Sequence, residues 1–211
     1  MCISTNARRS KAIECAAVEI HRLTVDDGPR LRTIRLRALR DAPDAFGTTF
    51  EESVVWPEAS WTSQLAKLAT FVASRDGADI GMVRGAAHAD IADAAMLLSM
   101  WVAPEARGQG VGDALVGAVV AWARGQGFRT LLLDVADTNA PAIAFYARLG
   151  FVPNGVVSTL PPPRQLIGEH QRALDLSPPS REHEPEGREK GLDRSRTNSG
   201  PRGSDGSKGS S

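Results

Sequence analysis

The chain has 211 residues, room for one α/β domain with a sizeable core plus tails. Its 25 basic and 25 acidic side chains balance, which argues against a strong general pull towards nucleic acid or anionic membrane, and no apolar run approaches the length of a membrane span. The two cysteines, Cys2 and Cys15, suit neither a disulfide framework nor a zinc site, so no metal is expected and the cytoplasm is the expected location.

Residues 1–17 carry Arg8, Arg9 and Lys11 but no continuous apolar stretch, and read as a disordered leader rather than a signal peptide. Val18 to Leu23 alternates apolar and polar residues, as an opening strand does. Asp26-Asp27-Gly28-Pro29 offers an N-cap and an N-terminal proline, so a helix starts there, with Leu31, Ile34, Leu36 (less well placed), Ala38 and Leu39 as its buried stripe. Arg30, Arg32, Arg35, Arg37 and Arg40 fall between them and read as a solvated basic face. Asp41 to Glu52 is a loop or broken helix, and Trp61 to Leu68 a second helical segment. This region mixes Phe46, Phe50, Trp56 and Trp61 with Asp41, Asp44, Glu51 and Glu52; it reads either as a wall for a cationic amine or as core aromatics with surface carboxylates. Strands over 70–75 and 80–88 flank the hairpin signal Asp76-Gly77, and a turn at 90–93 leads into an apolar strand, Met96 to Val102. His88 reads as a strand residue.

A proline-containing turn at 103–106 then meets Arg107-Gly108-Gln109-Gly110-Val111-Gly112, and a helix with Ala114, Leu115, Ala118, Val119 and Trp122 at helical spacing follows. A strand that passes through a glycine-rich turn into a helix can hold a phosphate: the N–H groups approach without Cβ interference, and the helix adds its positive dipole end. The spacing is neither that of the dinucleotide fingerprint, G-x-G-x-x-G, nor of the nucleotide loop that ends in Gly-Lys-Ser/Thr. Arg129 to Val135 reads as a buried strand, which makes a βαβ unit with a parallel pair. Asn139-Ala140-Pro141 caps a last helix that Gly150 stops; strands over 151–160 and 170–176 follow, interrupted by Pro161 to Pro163. From Ser177 the chain is polar and expected to be disordered, leaving 18–176 as the folded domain.

Arg107-x-x-Gly110-x-Gly112 between a strand and a long helix resembles the pyrophosphate loop of the GCN5-related N-acetyltransferase (GNAT) superfamily. Leu133-Asp134-Val135, Asn139, Ala142 to Tyr146 and Leu149-Gly150-Phe151 resemble its second signature. The nearest motif match is the protein N-terminal alanine acetyltransferase branch, in which a glutamate takes the place of Asp134. The resemblance implies an α/β acyl-CoA N-acyltransferase fold of about seven strands and four helices, with the central parallel pair splayed around acetyl-CoA. It implies that Met100, Trp101 and Val102 pair with the pantetheine arm, with the Met100 N–H polarising the thioester carbonyl. Arg107, Gly108, Gln109, Gly110, Val111 and Gly112 would hold the pyrophosphate, and Asn139 would bind the cofactor where the strands part. Tyr146 would protonate the leaving thiolate, its ordinary pKa near ~10 suiting a thiol. The base stays open between Asp134, Glu51, Glu52 and a water relay. The acceptor would be a small-molecule, peptide or protein amine, and the protein a monomer or homodimer with no nucleic-acid or membrane partner. The alternative is a non-catalytic acyl-CoA-binding regulatory module of the same fold.

Overall fold

The computed structural model describes residues 17–178; apart from residues 17, 177 and 178, the expected leader and tail lie outside the described residues. In chain order the elements are β1 (Glu19–Arg22), α1 (Gly28–Asp41), α2 (Phe50–Val54), α3 (Glu58–Lys67), β2 (Ala69–Arg75), β3 (Ala78–Ala87), β4 (Ala94–Val102), α4 (Val111–Gly125), β5 (Thr130–Ala136), α5 (Ala140–Arg148), β6 (Val152–Thr159) and β7 (Gly168–Asp175). The described residues thus hold five helices, one more than expected. The extra one is α2, which a reciprocal cap creates: the Glu52 N–H donates to Thr49 Oγ1 (3.1 Å) and the Thr49 N–H to the Glu52 carboxylate (2.8 Å). At the start of α1, Asp27 occupies the N-cap position, but its carboxylate turns back to accept from the Thr24 N–H (2.8 Å) and hydroxyl (2.9 Å) instead of capping the helix.

The strands form one sheet in the order β1–β2–β3–β4–β5–β7–β6. Every neighbouring pair is antiparallel except β4–β5, the parallel pair that the βαβ unit requires. Two faces are covered. A Cβ on Gly85 would fall 2.5 Å from the Trp122 ring, so α4 lies close against that face of β3. The adjacent residue, Arg84, points to the other face, where its guanidinium donates to Gln64 of α3 (2.9 Å). On that side Leu31, Ile34, Ala38 and Leu39 of α1 are buried with Trp61 and Leu65 of α3. Trp61 is fully buried with its ring 5.2 Å from that of Trp56. Trp61→Ala is therefore expected to cost about 3–5 kcal/mol, seen as a lower urea midpoint at unchanged m-value.

The basic face of α1 is solvated only in part: Arg32, Arg37 and Arg40 are exposed, Arg30 is half-buried and Arg35 is buried. Arg30 grips Asp79 through two bonds (2.7 and 2.8 Å) and also donates to Ser74. Arg37 pairs with Glu105 and lies over the Trp101 ring, Arg40 stacks on Phe50, and Arg35 is buried. The periodicity gives each a place outside the apolar stripe; tertiary partners engage these four, and Arg35 alone is buried. His88 lies just beyond β3, where its Nδ1 accepts from the Asp90 and Ile91 N–H groups (3.1 Å each), so it forms the turn rather than the strand. Among the described residues no helix is long and apolar enough to cross a membrane.

Candidate active site

The central parallel pair holds together over only three residues, Ala94 to Met96 against Thr130 to Leu132. Beyond Met96 the strands part. The cause lies on the other side of β4, where Met82 faces Trp101 and Arg84 faces Leu98, so Val83 alone stands opposite both Ser99 and Met100. The extra residue makes a bulge, and Ser99 takes the left-handed conformation (φ 55°) that a non-glycine residue adopts only under constraint. A bulge bends its strand, and here it bends β4 where the pairing with β5 stops. The gap opens into a cavity of about 840 Å³, within the range typical of small-molecule and cofactor sites. Met100, Trp101 and Val102 line it. The Trp101 side chain is itself buried and donates through Nε1 to Asp41 (2.9 Å), while its backbone stands in register with Met82 of β3.

At one end of the cavity lies the glycine loop. Gly108 (φ 73°) and Gly110 (φ 78°) both hold the left-handed conformation, which turns successive N–H groups the same way. Among the described residues, no backbone or side-chain acceptor takes the N–H of Gly108, Gln109, Gly110, Val111 or Gly112; Ala114 is the first to bond back, to the Gly110 carbonyl at 3.1 Å. That is an unpaired donor array at the positive end of a 15-residue helix. Gly108, Gly110 and Gly112 line the cavity, whereas Gln109 and Val111 do not. The Gln109 side chain is held by Arg75 (2.6 Å) and the Glu105 carbonyl (2.8 Å), and Val111 is a core residue, so neither side chain is free for a ligand. Arg107 lines the cavity, but its guanidinium is bound to Asp41 and to the Val102 carbonyl (3.0 Å), so its charge is already balanced. Asp113, the one carboxylate in the first turn of α4, is bridged by Arg148 of α5 at 2.7 and 3.1 Å. The Arg148 guanidinium holds the Asp113 carboxyl below the usual carboxylate range and cancels a charge that would repel an anion.

Across the gap stand Asp134, Asn139 and Tyr146, all lining the cavity. Asn139 Oδ1 caps α5 by accepting from the Ala142 N–H (3.2 Å), which leaves its amide nitrogen for other partners. Tyr146 is buried between Phe145 and Phe151, ring centroids 5.2 and 5.6 Å away, both edge-on. Burial pushes its phenol well above the ordinary value, so it is a proton donor and not a base at neutral pH. Asp134 accepts from Gln171 Nε2 (3.1 Å). Glu51 and Glu52 do not line the cavity, and Glu52 is engaged in the cap of α2. The carboxylate that sequence reasoning missed is Glu169. It pairs in register with Ala136 as Gln171 does with Asp134, which puts both carboxylates on one face of the β5–β7 ladder. Glu169 lines the cavity, and burial, then the nearby Asp134 charge, raise its carboxyl above the ordinary range.

The family described as Acetyltransferase (GNAT) family matches residues 35–151, more than half of the chain, and the chain belongs to it. Streptothricin acetyltransferase of Streptomyces lavendulae is 42% identical over 78 residues, 37% of this chain and 40% of that protein. This chain therefore spans less than half the length of that relative. Phosphinothricin N-acetyltransferase of Alcaligenes faecalis is 30% identical over 148 residues, 64% of this chain and 70% of that protein. The crystal structure of the ribosomal-protein-S18-alanine N-acetyltransferase from Escherichia coli shares the fold, with a TM-score of 0.56 at 23% identity over 76% of this chain and 95% of that one.

Proposed function

We propose that this protein is an N-acetyltransferase that moves the acetyl group of acetyl-CoA to a primary amine by direct attack. The observation that carries this reading is the run of unpaired N–H groups from Gly108 to Gly112 beside the parted strands. Such a donor set fits a pyrophosphate, and the cavity beyond it has room for an extended arm and an acceptor. Acetyl-CoA would supply an activated acetyl thioester. The loop holds the pyrophosphate, the free edge of β4 from Met100 to Val102 takes the pantetheine amides as a strand would, and the Asn139 amide nitrogen serves as a further donor. The Met100 N–H donates to the carbonyl oxygen as it gains charge, and the Tyr146 hydroxyl gives its proton to the departing sulfur.

An acceptor amine is mostly ammonium at neutral pH and must lose a proton before it attacks. Asp134 and Glu169 are the carboxylates placed to take it, directly or through a water. The raised carboxyl of Glu169 is the better matched to this task, with Asp134 as the neighbour that helps to raise it. Glu169→Gln is then expected to lower kcat/KM about 100-fold and to abolish the acid limb of its pH profile. Asp134→Asn is expected to keep that limb but move it to lower pH, because losing a like charge lowers the Glu169 pKa. A limb that vanishes in Asp134→Asn and survives in Glu169→Gln would transfer the role to Asp134, as the resemblance to the N-terminal alanine branch suggests.

The names of the two curated relatives point to small-molecule acceptors, and the loops over 42–60 and 161–168 are where acceptor choice would be made. Calorimetric titration of acetyl-CoA tests the cofactor half of this reading: binding in the micromolar range is expected, and none at all in well-folded protein would remove it. Release of CoA on adding an amine tests the catalytic half, and binding without any turnover would favour the regulatory module.

A further inference from the structure

The cavity contains two cations that nothing in the mechanism uses. Arg35 of α1 and Arg84 of β3 both line it, and each is only 5% exposed. Neither has a carboxylate within ion-pair distance among the described residues. Arg35 donates once, to Thr48 Oγ1 (3.0 Å), and lies over the Phe46 ring (4.4 Å); its other terminal nitrogen is buried without a partner. Arg84 donates once, to Gln64 (2.9 Å), and its Nε and second terminal nitrogen are buried without partners. Burial pulls Arg35 down to about 9, with the repulsion of Arg84 adding to it, and burial alone pulls Arg84 to about 10, so both remain cationic at neutral pH. Two adjacent buried guanidiniums with three orphaned donor atoms are costly to keep, and such a pair persists where an anion completes it.

The register says which ligand that anion belongs to. Arg84 stands opposite Leu98, four residues before Val102, where the strand runs into the phosphate loop, and two before Met100. At the rise of a strand these separations are roughly 13 Å and 7 Å. Arg84 is thus set in the sheet away from the pyrophosphate end and nearer to where the thioester carbonyl would meet its attacker. The same cavity is lined by Asp134 of β5 and Glu169 of β7, the groups that suit an ammonium. The cavity therefore has cations on α1 and β3 and carboxylates on β5 and β7.

Resting on the acetyltransferase reading above, we propose that the acceptor is a small amine that also bears a carboxylate, an α-amino acid or a close analogue, and that Arg35 and Arg84 bind this carboxylate. The mixed aromatic and acidic wall expected for a purely cationic acceptor is not what borders this end of the cavity: Phe46 is there, but its partner is Arg35, and Asp41 is bound by Arg107 and Trp101. A polyamine would bring a second positive charge towards two unpaired guanidiniums.

The test is CoA release with the twenty standard amino acids, each beside its α-carboxamide, and with spermidine as a purely cationic amine. At least one free acid is expected to be acetylated, with kcat/KM at least 30-fold above that of its amide. Arg84→Gln and Arg35→Gln are each expected to raise KM for that acid about 30-fold while the acetyl-CoA Kd holds within twofold. Arg84→Lys is expected to recover part of the loss. Both Gln variants are expected to keep or raise Tm, since each removes an unpaired buried cation. Equal use of acid and amide, turnover confined to spermidine, or no free acid accepted by protein that binds acetyl-CoA would each overturn the proposal. So would a Gln variant that loses Tm while its KM stays put, which is the signature of a structural arginine. Failure to bind acetyl-CoA would instead strike the acetyltransferase reading, and the titration reports that separately.

Discussion

Tyr146→Phe is expected to lower kcat by about 10²–10⁴-fold while leaving both the acetyl-CoA Kd and the stability essentially unchanged. The size follows from what the hydroxyl does in the proposed reaction. A thiolate leaving into a water-poor site gains most of its stabilisation from a proton delivered as the bond breaks, and the Tyr146 phenol is kept protonated by its own burial. The change is otherwise conservative. The ring's edge-on contacts with Phe145 and Phe151 survive, and among the described residues no hydrogen bond to the hydroxyl is lost. Pre-steady-state measurement with saturating acetyl-CoA and acceptor isolates the chemical step. A fall of less than threefold in that step, with folding intact, would remove Tyr146 as the acid and reduce it to a packed aromatic. The raised phenol has a second consequence: the alkaline limb of the wild-type profile should not report an ordinary tyrosine near ~10.

Why the sequence could point to Tyr146 as a cavity residue, but not to Glu169 or the arginine pair, comes down to the range of the interactions involved. Tyr146 sits in a helix whose signals are all local: Asn139 caps it, Pro141 enters it and Gly150, at φ 91°, ends it. The glycine loop is local too, because its glycines, its strand and its helix are contiguous from Met96 to Gly125. Glu169 was hidden because the apolar pattern opens the last strand at His170, whereas the pairing with β5 begins earlier, at Ala136 with Glu169. No periodicity reveals that register. Arg35 looked like its neighbours Arg32 and Arg37; only the packing of the Phe46 segment over it distinguishes them. The ion pair of Arg107 escapes the sequence for a similar reason. Its partner is Asp41, 66 residues earlier in the chain, which leaves the backbone N–H groups of the loop as the donors without a partner among the described residues. The bulge at Ser99 carries no turn residue to announce it, yet it coincides with the point at which the central strands part.

If backbone donors hold the pyrophosphate, then a change that alters only the backbone at the loop should abolish binding, and Gly110→Val is expected to weaken acetyl-CoA at least 100-fold. Gly110 holds φ 78°, which a β-branched residue adopts only at a cost of roughly 1–2 kcal/mol or more, so the loop is expected to relax to a conformation with φ below zero. That rotation turns the N–H groups from Gly110 to Gly112 out of register with one another. Loss of even two charge-assisted donors, at roughly 1.5 kcal/mol or more each, accounts for the factor. The fold is expected to tolerate the change, because a Cβ at Gly110 meets nothing within 4 Å. Gly112 offers the contrast: there a Cβ would lie 3.0 and 3.1 Å from the Phe145 ring, so Gly112→Val is expected to displace α5 and lower Tm as well as affinity. Arg107→Gln is the third arm, expected to weaken acetyl-CoA by less than tenfold because its charge is already paired with Asp41. Calorimetry on the three variants, with Tm measured alongside, separates the sources of affinity. Tight binding by a folded Gly110→Val protein, with loss only in Arg107→Gln, would mean that the arginine and not the nest of N–H groups holds the phosphate.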